Sequence, residues 1–296
     1  MMLNPYFVTG LSDAESCFLI SVIHNTSHRL NWVTRARFVI NLHLAELPLL
    51  LKIQEFFGGV GFITKDSKNN KVSFTITRLE DLINTIIPHF NSYPLLTKKR
   101  LDFILWSKVV NSMQTGGHLT IAGLHNILSI KASINNGLSP TLMAAFPEVI
   151  AFDRGEIDLV TTITDPQWLV GFITGDGSFS ASSSNNKRKA FRARFFLTQH
   201  ARDLGLLEAI NNYFGGVGSL HKNGVAFNYE VGSYKDCYNY ILPFFFEHPI
   251  PSVAIKFKNF KVWKQIVEIM NSGDHKNEVG MLQINKLLLE LNKIQY

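Results

Sequence analysis

Apolar and polar positions along this chain follow two periods, and the same succession of periods occurs twice. In each half an apolar stretch opens behind an amide or carboxylate followed by proline. Asn4-Pro5 leads NPYFVTGLSDAE to Glu15, and Asp165-Pro166 leads DPQWLVGFITGD to Asp176. Such a pair marks a helix start: the polar side chain accepts from first-turn N–H groups, and proline has no N–H to leave unpaired. Small residues recur four apart, Gly10 and Ala14 in one stretch, Gly171 and Gly175 in the other. Two helices with such faces approach closely, because no Cβ branch holds their backbones apart. After the first helix, Phe18–His24 reads as a strand and Asn25–Trp32 as a hairpin loop. A strict alternation follows over Arg35–His43, with Ala36, Phe38, Ile40 and Leu42 on one side and Arg35, Arg37, Asn41 and His43 on the other. Leu44–Phe57 is helical in pattern, FFGGVGFI turns the chain, and Lys71–Arg78 alternates again. Helices are predicted over Leu79–Asn91, Thr97–Met113 and Thr120–Ile134.

The second half repeats this order. RARF at 35–38 returns at 192–195, and FFGGVG at 56–61 returns as YFGGVG at 213–218. Trp106, Met113, His118 and Gly123 find Trp263, Met270, His275 and Gly280 at one constant offset. Registry over most of both halves indicates duplication. The predicted fold is α+β: two pseudo-symmetric αββαββα(α) domains, each a four-stranded antiparallel sheet with helices on one face, packed through two central motif helices. The domains are residues 1–134 and 165–296. Residues 135–164, with Gly137, Pro140 and Pro147 and no repeat partner, form the linker.

Composition narrows the classes. The 296 residues are 46% hydrophobic and 18% charged, as in a globular chain, with a net charge of +6 and a pI near 9.2. A basic balance favours a polyanionic partner. The cysteines are Cys17 and Cys237, with no CxxC, so neither a zinc site nor a disulfide framework is indicated. No apolar run reaches membrane-spanning length, and no signal or arginine-rich transit pattern opens the chain.

The chemistry concentrates at the ends of the two opening helices. Glu15 and Asp176 fall at C-terminal ends, where the macrodipole is negative and a carboxylate is disfavoured. Packed side by side in parallel, the helices would bring two anions together, and a divalent cation compensates best. Its ligands would be both carboxylates with the last-turn carbonyls of Ala14 and Gly175. Each half also places a lysine at a matched position, Lys99 and Lys256, with Lys98 and Lys258 beside them. These suit charge stabilisation at phosphates or positioning of water. Asp13, opposite Thr174 in the repeat, reads as structural. So do His43 and His200, and GDGS at 175–178 lacks the GK[ST] of a phosphate loop.

An antiparallel sheet backed by helices leaves its other face solvated. That face carries Arg35, Arg37, Asn41, Lys71, Ser73 and Thr75 in the first half. In the second it carries Ser180, Ser182, Arg192, Arg194, Thr198, Asn228 and Glu230. These side chains suit major-groove readout, where arginine pairs with guanine, asparagine with adenine, and glutamate accepts from cytosine. Lys187 and Arg188, with Lys189, read as phosphate contacts on a loop. Two such sheets end to end would cover on the order of 20 base pairs, and their unlike sequences predict an asymmetric site.

VTGLSDAES and LVGFITGDG resemble the two signature motifs of the LAGLIDADG homing endonucleases in their single-chain form. NPYFVTG, PLLTKKRLDF at 94–103 and INNGLSPTLMAAFP at 134–147 are similar to segments of the fungal mitochondrial intron-encoded group. The resemblance covers nearly the whole chain. It implies a monomeric site-specific endonuclease that cuts both strands of duplex DNA, leaving 3′ overhangs. Glu15 and Asp176 would bind catalytic Mg²⁺, for which Ca²⁺ substitutes without supporting cleavage. Gln199, where the first half has Leu42, would be the family's water-positioning glutamine, so the two strands should be cut unequally. The first motif closes with Ser16 where the family usually has glycine; serine is small, and tolerance is expected. Mitochondrial location follows from the same resemblance. The alternative is an intron maturase that binds its host intron RNA with reduced or no cleavage. A transcription regulator on this fold would need an added helix-turn-helix domain, for which no room remains.

Overall fold

The computed structural model describes residues 2–156, 162–184 and 190–294. They divide into two compact units, one built on Glu15–Asp158 with the first residues of the chain, the other on Leu159–Tyr296 with Tyr6–Ala14. In the first unit, β1 (Ser16–His24), β2 (Trp32–His43), β3 (Phe62–Asp66) and β4 (Lys71–Ile76) make an antiparallel sheet in the order β1-β2-β4-β3. In the second, β5 (Gly177–Ser183), β6 (Phe191–His200), β7 (Ser219–Asn223) and β8 (Ala226–Val231) follow the order β5-β6-β8-β7. Helices Leu47–Phe56 and Leu204–Tyr213 join the two hairpins of each sheet. Three further helical segments follow each sheet, ending with Ile121–Ser133 in the first unit and Glu278–Ile294 in the second.

Each sheet folds over an aromatic core of its own, built to one plan. The Phe18 ring lies 5.3 Å from those of Phe38, Phe90, Phe103 and Trp106. Phe179 sits at 5.0–5.5 Å from Phe195, Phe245, Phe260 and Trp263, their repeat counterparts. Offset and edge-on aromatic contacts of this kind add to what burial alone supplies. The two indoles also fix each long helix to the first strand of its sheet. Trp106 Nε1 donates to the Leu19 carbonyl and Trp263 Nε1 to that of Ser180, both at 3.2 Å. The predicted core positions Ala36, Phe38 and Ile40 are buried, and Leu42, at the sheet's end, is half-buried.

The helix expected over 44–57 is broken at its start. Leu44–Glu46 form a tight turn in which His43 Nδ1 accepts from Ala45 N at 3.3 Å, and His200 Nδ1 does the same for Arg202 N at 3.2 Å. The paired histidines are thus capping residues. The helix over 79–92 contains a wide turn at Leu82–Ile86, matched by Cys237–Ile241 in the second half. Pro88 and Pro243 lack the N–H that an α-helical ladder needs there, so the ladder shifts by one residue. Ile87 N reaches Leu82 O and Leu242 N reaches Cys237 O. The described part of the linker carries structure of its own. Ser139 caps a short helix, Pro140–Ala145. Residues 150–154 then strap across the first unit: Ser129 Oγ donates to Ile150 O at 2.7 Å, Phe152 N to Ser129 O at 3.0 Å, and Ser133 Oγ to Phe152 O at 2.6 Å. No helix among the described residues is long and apolar enough to cross a membrane.

One buried histidine makes the first unit acid-sensitive. His89 is 8% exposed, edge-on to the rings of Phe56, Phe57 and Phe90. Burial lowers its pKa to about 4. The unfolded imidazole takes its proton near pH 6.5 and the folded one does not. Stability is therefore complete above about pH 6.5 and falls by roughly 3 kcal/mol as pH drops towards 4. His89→Phe should flatten that part of the stability–pH curve, measured by urea unfolding at fixed salt.

Candidate active site and nucleic-acid interface

The two opening helices, Pro5–Glu15 and Pro166–Asp176, bury almost everything between their caps and their terminal acids. Asp165 caps the second, accepting from Gln167 N at 2.8 Å. Within the second unit, residues 6–14 lie backbone to backbone against 166–176. A Cβ on Gly10 would land on the Trp168 carbonyl, and one on Gly171 on the Phe7 carbonyl. This reciprocal fit is the close approach that the small residues predicted. Asp13 is buried and accepts from Trp168 Nε1 at 2.8 Å. Thr174, its counterpart, turns its hydroxyl back to Val170 O at 2.7 Å. Both are structural, as expected.

Asp176 is half-buried at the end of its helix, and its carboxylate has a dedicated partner: Gln199 Nε2 donates to Asp176 Oδ2 at 2.6 Å. Gln199 reaches it because it sits on the core-side parity of β6, two residues beyond Leu197, which pairs with Gly177. Lys256 completes the group by donating from Nζ to the Gly177 carbonyl, one residue past the acid. Asp176, Gln199 and Lys256 thus converge in the second unit.

The first unit holds the counterparts Glu15 and Lys99. Glu15 is half-buried at its helix end, and Lys99 opens the helix Lys99–Gln114. Cys17, two residues past Glu15, donates its thiol to Asn135 Oδ1 at 3.1 Å. Burial pushes the Cys17 thiol up, while the Lys99 ammonium draws it down and the Asp102 carboxylate pushes it up. Leu42 stands where the other unit has Gln199.

Ser16 is buried without difficulty. In the second unit a Cβ on Gly177 would run into the side chain and backbone of Ile173. In the first repeat the matching residue is Ser12, which has no branched side chain to meet the Cβ of Ser16.

On the open faces the predicted residues share a side, as the strand registers require. Arg35 and Asn41 are exposed, Arg37 and Ser73 half-buried; Arg192, Thr198 and Ser182 are exposed, Ser180, Arg194, Asn228 and Glu230 half-buried. Lys71 is exposed at the end of β4. Thr75 keeps the right face yet is only 8% exposed, so it has little surface to offer a ligand. Lys187, Arg188 and Lys189 lie outside the described residues. Both sheets carry a cross-strand amide–hydroxyl pair at the same register with the roles exchanged. Ser73 Oγ donates to Asn41 Oδ1 at 2.6 Å, and Thr198 Oγ1 donates to Asn228 Oδ1 at 2.9 Å. The hydroxyl fixes which way each amide faces and leaves its N–H groups turned outward for a partner's acceptors. Arg37 is steadied by Ser21 Oγ at 3.2 Å and Arg194 by Glu230 at 3.5 Å. Sequence reading missed an exposed apolar member of the first face, Phe62, because β3 is too short to show alternation.

Known proteins are similar to this chain in sequence and in fold. A Neurospora crassa protein described as probable intron-encoded endonuclease 3 is 34% identical over 97% of this chain, and the match spans 54% of that protein. Probable intron-encoded endonuclease 2 of the same organism is 32% identical over 96% of this chain and 64% of its own. The chain thus spans between half and two-thirds of the length of these relatives. Among solved structures, the I-SmaMI LAGLIDADG homing endonuclease bound to cleaved DNA is 37% identical, with a TM-score of 0.95 over 99% of this chain and 98% of that one. I-SmaMI has also been solved on an uncleaved DNA target in the presence of calcium ions, at a TM-score of 0.94 over 98% and 99% of the two chains and 37% identity. I-GzeII in complex with its DNA target gives 32% identity and a TM-score of 0.91 over 99% and 100%. The family model described as LAGLIDADG endonuclease matches residues 8–110 and 169–267, one run in each half, and the chain belongs to that family.

Proposed function

We propose that this chain is a site-specific endonuclease that binds a long asymmetric DNA duplex as a monomer and hydrolyses both strands with divalent cations, Glu15 serving one strand and Asp176 the other. The observation that carries the reading is the group around Asp176: a carboxylate at a helix end, gripped by Gln199 with Lys256 anchored alongside. Among the described residues no three His, Cys, Asp or Glu side chains gather tightly enough to cage a metal. A cation held here must complete its shell with phosphate oxygens and water. Mg²⁺ is bound in that way, through one or two carboxylates and the substrate. The donors fit it: one hard carboxylate per unit with the carbonyls of Ala14 or Gly175. When bound, the cation supplies an activated water and charge neutralisation at the phosphate. Gln199 holds the Asp176 carboxylate in one orientation and keeps its own amide oxygen for a water. Lys99 and Lys256 place positive charge beside the phosphates. The relatives' descriptions as intron-encoded endonucleases support a mitochondrial intron origin, with the two repeats flanking a linker at 135–164, and 3′ overhangs accord with the family resemblance.

A duplex carrying the selected target, labelled separately on each strand, tests this in Mg²⁺ buffer. Cleavage of both strands, lost in Ca²⁺ or EDTA while binding persists, is the expected result. Gln199→Leu gives the second unit the residue of the first. It should slow the Asp176-dependent strand by about 10- to 100-fold, the usual cost of losing a partner to a metal-binding side chain. The other strand should keep its rate.

A further inference from the structure

The open face of the first sheet carries an aromatic ring that the core does not bury. Phe62 opens β3 and pairs with Thr75, which pairs in turn with Val39. Strand parity therefore puts its side chain on the same face as Arg35, Arg37 and Asn41. It is 47% exposed. Beside it the sheet is incomplete: β4 ends at Ile76, opposite Phe38, while β2 runs back along β1 to Trp32. A cleft of about 570 Å³ lies beyond the end of β4, lined by Arg35, Arg37 and Phe62 together with Leu79, Leu82 and Met113. Apolar side chains thus stand among cations on a face suited to a polyanion. The second unit is built otherwise. Ser219 follows its GGVG turn where Phe62 follows the first, and its hydroxyl lies 2.8 Å from His221 Nε2.

The major groove has little to offer such a lining. Its base edges present hydrogen-bond donors and acceptors, and their apolar group is the methyl on C5 of thymine, which 5-methylcytosine shares. We propose that Phe62 is a specificity-determining residue, whose ring takes the C5-methyl group of a pyrimidine in the part of the target bound by the first unit. This rests on the endonuclease reading above. Arg35 and Arg37 draw the duplex onto the face, and contact between ring and methyl takes apolar surface of both out of water. A pyrimidine without the methyl keeps its other contacts and forfeits that gain. The second unit, with Ser219, gains nothing from a methyl at the matching place.

The test is binding, in Ca²⁺, of the target selected from a randomised library, with each thymine in turn replaced by deoxyuridine, which lacks only the methyl. The wild-type chain should bind about fourfold more weakly when the thymine facing Phe62 is replaced, the worth of one methyl group taken out of water. Phe62→Ser, which copies the second unit, should bind the thymine and deoxyuridine duplexes alike at that position and keep the wild-type response at every other. Phe62→Leu, still apolar, should keep the preference. At the same position 5-methylcytosine should bind more tightly than cytosine, which separates the methyl from the O4 acceptor of thymine. A wild-type chain indifferent to deoxyuridine at every thymine would overturn the proposal and leave the endonuclease reading standing. So would a Phe62→Ser chain that keeps every deoxyuridine penalty, or a selected target without thymine. A chain that binds no duplex at all would sink the endonuclease reading and this proposal with it.

Discussion

Asp176→Asn is expected to slow hydrolysis of one strand by on the order of a thousandfold, while the chain still binds its duplex and nicks the other. The substitution keeps size and shape, and it leaves an amide oxygen for Gln199, which now donates to Asp176 Oδ2 at 2.6 Å. What it removes is the charge that holds a divalent cation. That cation supplies several kcal/mol of stabilisation to the transferring phosphoryl group, and each 1.36 kcal/mol is a factor of ten. DNA affinity should hold or rise, because an anion has left the neighbourhood of phosphates. Glu15→Gln should do the same to the opposite strand, so each single variant becomes a nickase and the double variant leaves the duplex whole. Strand-resolved cleavage on a denaturing gel reads both, with binding followed separately.

Gly171→Leu is expected to cost about 4 kcal/mol or more of stability, enough to prevent folding at 37 °C. Three effects add. A Cβ at 171 would occupy the place of the Phe7 carbonyl, so the backbones must part, and overpacking of that kind costs about 1–3 kcal/mol even where side chains give way. Parting the helices stretches the bond from Trp168 Nε1 to Asp13, leaving a carboxylate that is 4% exposed without that donor. Losing a hydrogen bond to a charged group costs about 1.5–3 kcal/mol. Gly10→Leu should behave alike, since its Cβ would meet Trp168 O. Gly232→Ala is the control: its Cβ would touch only the end of the Glu230 side chain at 3.3 Å, and the expected change is within about 0.5 kcal/mol. Urea midpoints of the three variants separate these outcomes.

Much of this architecture was legible in the sequence, because its determinants are local or repeated. The cap–proline pair at Asp165-Pro166 and the alternation through β2 each fix an element within a few residues, and duplication lets one half check the other. The terminal acids were legible for the same reason: they end helices whose starts were visible. What escaped was set by contacts between segments far apart. Asp102 reads as one more polar residue on an amphipathic helix until residue 154 arrives from a stretch with no repeat partner. Thr75 has the right strand parity, but parity does not reveal what covers it. Gln199 stood out only because its repeat partner is leucine, and the carboxylate it holds lies on another element. The wide turns before Pro88 and Pro243 were signalled by the prolines, yet an unbroken apolar pattern across them hid the shift of register.

The most direct test is to incubate the purified chain with a randomised duplex library in Mg²⁺ and sequence every end produced. The account predicts cuts in both strands at one long asymmetric site, and none from the chain carrying Glu15→Gln with Asp176→Asn. A library that stays intact with the wild-type chain, or that is cut equally by the double variant, would contradict it.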